Sequence, residues 1–258
     1  MTSTEFDPRR VTHTPDALNG RVIAITGATG GYGRALALDC ARHGAEVILI
    51  GRNVKKLEAL HTEIAAAKRA DGRATAEAVI APLDLEKAVA KDYDTLADAI
   101  AERFGRLDGL VHNAAMLGEL SPIAQQDVPT WVRVMHINVT APFALTQVLL
   151  PQLLASKDAS IVCIASAVGR RARAYWGAYA VSKHALEGFA GVLADELEHS
   201  SVRVNTLNPG RMRTPMRRAA YPSEDAQTLP TPDVATGACL ALLGPVARGV
   251  TGGRFDAQ

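Results

Sequence analysis

The chain has 258 residues, 48% of them hydrophobic, and a formal net charge of +1 at pH 7. That length and apolar fraction suit one large α/β domain with a sizeable core, and the near-zero charge excludes a global electrostatic pull toward nucleic acid or a membrane surface. Three separated cysteines, Cys40, Cys163 and Cys239, make no C-x-x-C and no metal-ligand spacing, which reads as free thiols in a reducing compartment and no metal site. Residues 1–19 are polar, with no apolar run to act as a signal peptide. No apolar stretch is expected to approach the ~20 residues of a membrane span, so a cytoplasmic protein is expected.

In chain order, apolar and β-branched runs at 21–26, 46–50, 76–83, 109–112, 160–165, 202–207 and 252–255 predict strands. Helical patterns fall between them, at 33–43, 53–70, 92–104, 129–155, 178–199 and 232–243. The strands are continuous apolar runs rather than alternating ones, as in a parallel sheet covered on both faces. Strand–helix alternation throughout predicts a single α/β domain over 1–258, a Rossmann-type doubly wound parallel sheet with helices on both faces. The segment 211–231 breaks the pattern with Pro215, Pro222, Pro230 and several charges. Ligands of such sheets sit at the carboxyl ends of the strands, so this excursion is a candidate substrate lid.

The first strand runs into Thr26-Gly27-Ala28-Thr29-Gly30-Gly31-Tyr32-Gly33, followed by a helix. Glycines permit the tight turn and a close approach of backbone to a pyrophosphate, and the helix start offers free N–H groups. The motif points to a dinucleotide. The second strand ends Leu49-Ile50-Gly51-Arg52-Asn53, where a carboxylate would hold the ribose 2′-OH of NAD. Here there is no such carboxylate, and Arg52 brings a guanidinium able to bind a 2′-phosphate. The expected cofactor is NADP(H).

Further on, Tyr179 and Lys183 stand four residues apart, one face of a helix, with Ser166 thirteen residues upstream. An ammonium beside a phenol favours the phenolate and makes Tyr179 a usable proton donor and acceptor. Asn138 precedes Pro142 by four, so its carbonyl is expected to be free of a helical partner, at a kink, and able to bind a water. Ser166 lies in no Gly-x-Ser-x-Gly elbow, and no histidine has reason to pair with it, which argues against a serine hydrolase. His136 and His184 adjoin functional positions but turn about 100° away on a helix, and are read as structural.

Together, Thr26-Gly27-x-x-x-Gly31-x-Gly33, Asn113-Ala114, Asn138, Ser166, Tyr179-x-x-x-Lys183 and Pro209-Gly210 resemble, in order and spacing, the short-chain dehydrogenase/reductases. The resemblance covers about 18–258 and narrows to a bacterial YciK-like oxidoreductase subgroup, through Val168-Gly169-Arg170, residues 176–180 and Phe255-Asp256-Ala257-Gln258. It implies Tyr179 as catalytic acid/base and Ser166 as hydrogen-bond partner of the substrate carbonyl. It implies Lys183 on the nicotinamide ribose, lowering the pKa of Tyr179, and Asn138 holding a relay water. Cofactor-binding positions implied by motif and resemblance are Gly27, Thr29, Gly30, Gly31, Tyr32, Gly33, Arg52, Asn53, Asp84, Leu85, Asn113, Ala114, Pro209, Gly210 and Thr214, with Tyr179 and Lys183. The usual Asn-Asn-Ala-Gly reads His112-Asn113-Ala114-Ala115 here.

The reading is an NADP(H)-dependent oxidoreductase that interconverts a small-molecule carbonyl and alcohol. The alternatives are an NADP(H)-binding sensor or scaffold without turnover and, more weakly, a sugar-nucleotide epimerase. Arg170, Arg171, Arg173, Arg211, Arg213, Arg217 and Arg218 form a candidate rim for an anionic substrate, or else an ordinary charged loop. The helix from Tyr179 carries Leu186, Phe189, Leu193 and Leu197 on one side and small residues elsewhere, and the resemblance implies a homodimer or homotetramer built on it.

Overall fold

The structure, a computed structural model, describes residues 5–69 and 71–258. Seven parallel strands form one sheet in the order β3-β2-β1-β4-β5-β6-β7. They are β1 (Val22–Thr26), β2 (Glu46–Gly51), β3 (Ala78–Pro82), β4 (Gly109–His112), β5 (Ala159–Ile164), β6 (Val202–Asn208) and β7 (Arg254–Asp256). The helices are α1 (Gly31–Arg42), α2 (Val54–Ala66), α3 (Ala90–Phe104), α4 (Val128–Met135), α5 (Ala141–Leu154), α6 (Gly177–Glu196), α7 (Pro215–Ala220) and α8 (Thr236–Leu243).

The continuous apolar runs have the expected cause. Ile23, Ile25, Val47 and Leu49 point to one core, beneath α1, α2 and α8. Val22, Ala24, Ile48 and Ile50 point to the other, beneath α3, α5 and α6. Alternate residues thus serve opposite faces, and both faces are apolar. Between β1 and β4 the strand order reverses. The crevice at the carboxyl ends of such a pair is where this architecture binds ligands.

Three expectations need correction. The stretch 129–155 is not one regular helix: α4 passes through a π-helical turn, His136–Thr140, into α5. Pro142 sits in the first turn of α5, where its missing N–H removes a regular bond and the chain widens to an i→i−5 pattern, Ala141 N–H reaching His136 O. Second, this same stretch, Val128–Leu154, is long and apolar enough to cross a membrane by composition, with a mean hydropathy of 1.3. Leu145, Leu149 and Leu153 bury one side of it beneath the sheet, the place of a core helix. Third, the excursion 211–231 contains its own helix, α7. Arg213 donates to the carbonyls of Ala226 and Leu229, and its backbone N–H to Pro230, so the segment closes on itself.

Candidate active site

The Gly-rich turn is tied to β4. Thr26 Oγ1 accepts from the backbone N–H groups of both Asn113 and Ala114 (3.0 Å each) and donates to Val111 O. The Asn113 amide donates to Thr26 O (2.9 Å) and Gly27 O (3.2 Å). Asn113 therefore holds the turn itself. A Cβ on Gly33 would lie 2.5 Å from that amide nitrogen, so only glycine lets α1 start this close to β4. Gly30, the residue before α1, offers no side-chain cap, which leaves the first N–H groups of α1 without a protein side-chain partner. Such a cradle fits a dinucleotide pyrophosphate.

Not every expected cofactor residue faces this cradle with its side chain. Tyr32 is buried in the core, donates to Ala235 O (3.1 Å) and has its phenol pushed well up by burial. Only its backbone is available to a ligand. Asn53 caps α2, accepting from Lys56 N–H (3.0 Å), and Asp84 caps the turn after β3 by accepting from Glu86 N–H. Leu85 is buried. Arg52 follows the end of β2 with its side chain 70% exposed, 3.5 Å from Glu86, whose closer partner is Arg133 at 2.8 Å. Thr29 lies near Gly51, and Thr214 packs over Gly31, which brings the segment after β6 onto the Gly-rich turn.

The four candidate catalytic residues converge at the carboxyl ends of β4 and β5. Ser166 follows β5, and its side chain acts on the phenol of Tyr179 on α6, lowering its pKa. Lys183, one turn further along α6, is buried, its Nζ donating to Ile164 O (2.6 Å) and standing 5.7 Å from the Tyr179 ring centre. Asn138, in the π turn, uses its whole side chain. Oδ1 accepts from Met116 N–H (2.7 Å), and Nδ2 donates to Met116 O and to Ser182 Oγ (2.9 Å each). Ser182 in turn donates to Tyr179 O (2.8 Å). With its amide fully committed, Asn138 has only its main-chain carbonyl to offer a water.

Burial dominates the electrostatics of the cluster. Burial pushes Tyr179 up to about 12, only partly countered by the Ser166 side chain. The Lys183 ammonium donates to Ile164 O and stands 5.7 Å from the Tyr179 ring centre. Burial also brings Lys183 itself down to about 8. His112, behind Lys183, is held neutral, at about 3, by burial and by that ammonium; its Nε2 meets Thr146 Oγ1 at 2.8 Å and its Nδ1 has no partner.

Around Tyr179 gather Val168, Ala115, Leu117, Trp176 and Met216. The Trp176 ring lies 5.8 Å from Tyr179 and 5.9 Å from Tyr221, which follows α7. Arg217 stacks 3.7 Å from the Tyr221 ring centre and pairs with both oxygens of Glu224 (2.6 Å each). Of the arginine rim, Arg170 pairs with Glu187 and Asp256, Arg173 donates to the Tyr221 hydroxyl, and Arg213 and Arg217 are held as described. Among the described residues, no hydrogen bond or ion pair holds the side chains of Arg171, Arg211 or Arg218. Sequence reasoning missed Met116, Ser182, Glu187 and Tyr221. Ser182 alone left a signal, lying inside the Tyr-x-x-x-Lys interval.

A Gly-rich turn at the switch point of a parallel sheet, with a Tyr–Ser–Lys cluster at the carboxyl end of β5, two strands away, defines a dinucleotide-dependent oxidoreductase architecture. The family model for short chain dehydrogenases matches residues 21–225, and the chain belongs to the short-chain dehydrogenase/reductase family. It is 46% identical over 243 residues to the Escherichia coli (strain K12) oxidoreductase YciK, covering 94% of each chain. A short chain dehydrogenase from Shigella flexneri 2a, crystallised with NADP, superposes with a TM-score of 0.89 at 46% identity, over 95% of this chain and 100% of that one. One from Escherichia coli CFT073, crystallised with NADPH, gives 0.89 at 47% identity, over 95% and 99%.

Proposed function

We propose that this protein is an NADP(H)-dependent oxidoreductase that interconverts a carbonyl and an alcohol, with Tyr179 as the acid/base. The observation that carries the reading is the buried Tyr179 with Lys183 one helical turn away on α6, its Nζ 5.7 Å from the Tyr179 ring centre, joined to the Gly-rich turn by the segment that packs Thr214 over Gly31 and Met216 against Tyr179. The NADP and NADPH held by the two relatives support the choice of cofactor, as does Arg52 where a carboxylate would favour NAD. The turn's backbone, Thr29, Arg52 and the loop from Pro209 to Thr214 would hold it.

NADPH supplies a hydride when bound. Tyr179 gives its proton to the substrate oxygen, which the Ser166 hydroxyl orients. A phenol near 12 stays protonated at neutral pH, the form that carbonyl reduction requires. Lys183, near 8, both holds and releases a proton close to neutrality, which suits it to reload Tyr179 through a water on the Asn138 carbonyl.

We read the substrate as a neutral, apolar carbonyl compound rather than an anion. Apolar side chains surround Tyr179, and four of the seven rim arginines already have protein partners. The segment 211–231 serves as the lid of a single domain, through the Trp176–Tyr221 contact. Exposed Phe143, Val181 and Val192 on α5 and α6 support a homodimer or homotetramer, and the three buried free cysteines support the cytoplasm.

The test is oxidation of NADPH and NADH against thioesters, ketones, aldehydes and quinones, with Tyr179→Phe in parallel. Within the ketones, acetophenone should be reduced with at least about tenfold higher kcat/KM than 4-acetylbenzoate, the same ketone with a para carboxylate whose charge would be buried unpaired. Tight NADPH binding with no turnover above the Tyr179→Phe background would favour the sensor reading instead.

A further inference from the structure

The loop that follows β6 is held from outside. Asn208 ends β6 and pairs in register with Asp256 of β7. Beyond that pair the chain 257–258 runs alongside the loop 209–211. Ala257 N–H donates to Asn208 O (2.9 Å). The Asn208 side chain donates to Asp256 Oδ1 (2.7 Å) and accepts from Gly210 N–H (3.2 Å). The Gln258 amide nitrogen then donates to two loop carbonyls, Pro209 O (2.8 Å) and Arg211 O (3.0 Å).

Two features make this arrangement specific. Gly210 has φ +82°, and a Cβ there would lie 2.6 Å from Gln258 Cδ. Any other residue at 210 would be strained and would evict the amide. The strap is also anchored to the catalytic helix. Arg170, just past Ser166, takes both carboxylate oxygens of Asp256 (3.0 Å each) and donates to Phe255 O (2.7 Å) and to Glu187 on α6 (3.0 Å). Glu187 lies one turn beyond Lys183 and also binds Arg254 of β7 (2.7 Å). The group of arginines that looked like a substrate rim is, at Arg170, the knot between β7 and α6.

We infer that Gln258 is a positioning residue for cofactor binding: by bridging the carbonyls of Pro209 and Arg211 it fixes the loop that ends in Thr214 over Gly31. The inference rests on the placement of NADP(H) against that loop proposed above. Both Gln258 hydrogen bonds are donated by one NH₂ group, so the chemistry required at 258 is a donor of two protons, not an acceptor.

The experiment compares Gln258→Ala, Gln258→Glu and Gln258→Lys with the wild type. It reads the Kd for NADP+, the rate of tryptic cleavage after Arg211 and Arg213, and the melting temperature without cofactor. Gln258→Ala should raise Kd about three- to tenfold and speed loop cleavage, the size of one or two exposed hydrogen bonds. Gln258→Glu, isosteric but acceptor-only, should be worse than Gln258→Ala at pH 8. Relative to wild type at each pH, it should recover toward pH 4, below about 4.3, as its carboxyl regains an O–H donor. Gln258→Lys, a donor of the same kind, should stay within about twofold of wild type. Melting temperatures should agree within about 2 °C, as expected for a surface side chain.

Wild-type Kd and cleavage in both Gln258→Ala and Gln258→Glu at pH 8 overturn the inference. So does an equal loss in the two variants that tracks a fall in melting temperature, which would make Gln258 a plain stabiliser. If NADP+ fails to slow loop cleavage in the wild type, the placement of the cofactor against the loop is wrong, and the inference falls with it. Protection in the wild type with unaltered variants sinks the inference alone.

Discussion

Asn138 closes both backbone hydrogen bonds of Met116 with one side chain, accepting from its N–H at 2.7 Å and donating to its carbonyl at 2.9 Å. Through Ser182 the same amide reaches the main chain of Tyr179. The π turn of the α4–α5 helix, the loop that follows β4 and helix α6 meet at this one residue. Asn138→Ala should therefore destabilise the fold by about 2–4 kcal/mol, because buried backbone groups lose their partners. Urea unfolding measures this. A cost close to zero would mean that water replaces the amide and that Asn138 is not a structural clamp.

Lys183 carries a stability cost. Its folded value near 8 lies below the ordinary 10.5 because burial disfavours the ammonium. Between those limits the unfolded chain binds more protons than the folded one, so stability rises with pH through that window, and the penalty is fully present below it. Lys183→Met should thus be more stable than wild type at pH 7 by roughly 1–3 kcal/mol, and the gain should shrink by pH 10. Carbonyl reduction should be lost in the same variant. A stability difference that does not change with pH would exclude this account.

Arg170 should act on the fold and not on substrate charge. Removing it leaves the buried Glu187 with Arg254 and Thr206 only. Arg170→Ala should cost about 2–4 kcal/mol, as for a broken buried pair. It should lower kcat/KM for acetophenone and 4-acetylbenzoate by the same factor. A loss confined to KM of the acid would restore the anion-binding rim.

Arg52 should govern the choice between the two nicotinamide cofactors. Its side chain is exposed and only loosely paired with Glu86, so it is available to a 2′-phosphate at little structural cost. Arg52→Ala should raise Kd for NADP+ about tenfold and change Kd for NAD+ by no more than about twofold, since one charge-assisted contact is removed. Titration calorimetry of both nucleotides on one preparation decides it. Equal changes for both would place Arg52 outside the 2′-phosphate site.

Much of this molecule is legible in one dimension. The strand pattern, the doubly wound sheet and the Gly-rich turn follow from apolar runs and glycine spacing, because strand burial and tight turns are local demands on residue type. The Tyr179–Lys183 spacing likewise follows from helical geometry. The π turn was half visible: Pro142 announced an irregularity near Asn138, but whether the chain kinks or widens depends on what Met116 and Ser182 offer to the Asn138 side chain. The arginines could be read either way from the sequence for a related reason. Arg170, Arg173, Arg213 and Arg217 are separated in sequence from the groups that hold them by up to 86 residues, as Arg170 is from Asp256. A run of positive charge looks free until those partners are folded against it.

The sequence by itself determined the sheet and the dinucleotide turn, which rest on short-range pattern and residue chemistry, and its family resemblance pointed to the four candidate catalytic residues. Only the tertiary structure decided how those residues are tuned. Burial raises Tyr179, and the Lys183 Nζ is drawn to the carbonyl of Ile164 at the end of β5. It also decided that Gln258, far from every motif, closes the loop after β6, because the parallel pairing of β7 with β6 sets residues 256–258 beside 208–211. Desolvation and long-range pairing depend on what the folded chain packs around a group, and no local spacing records that.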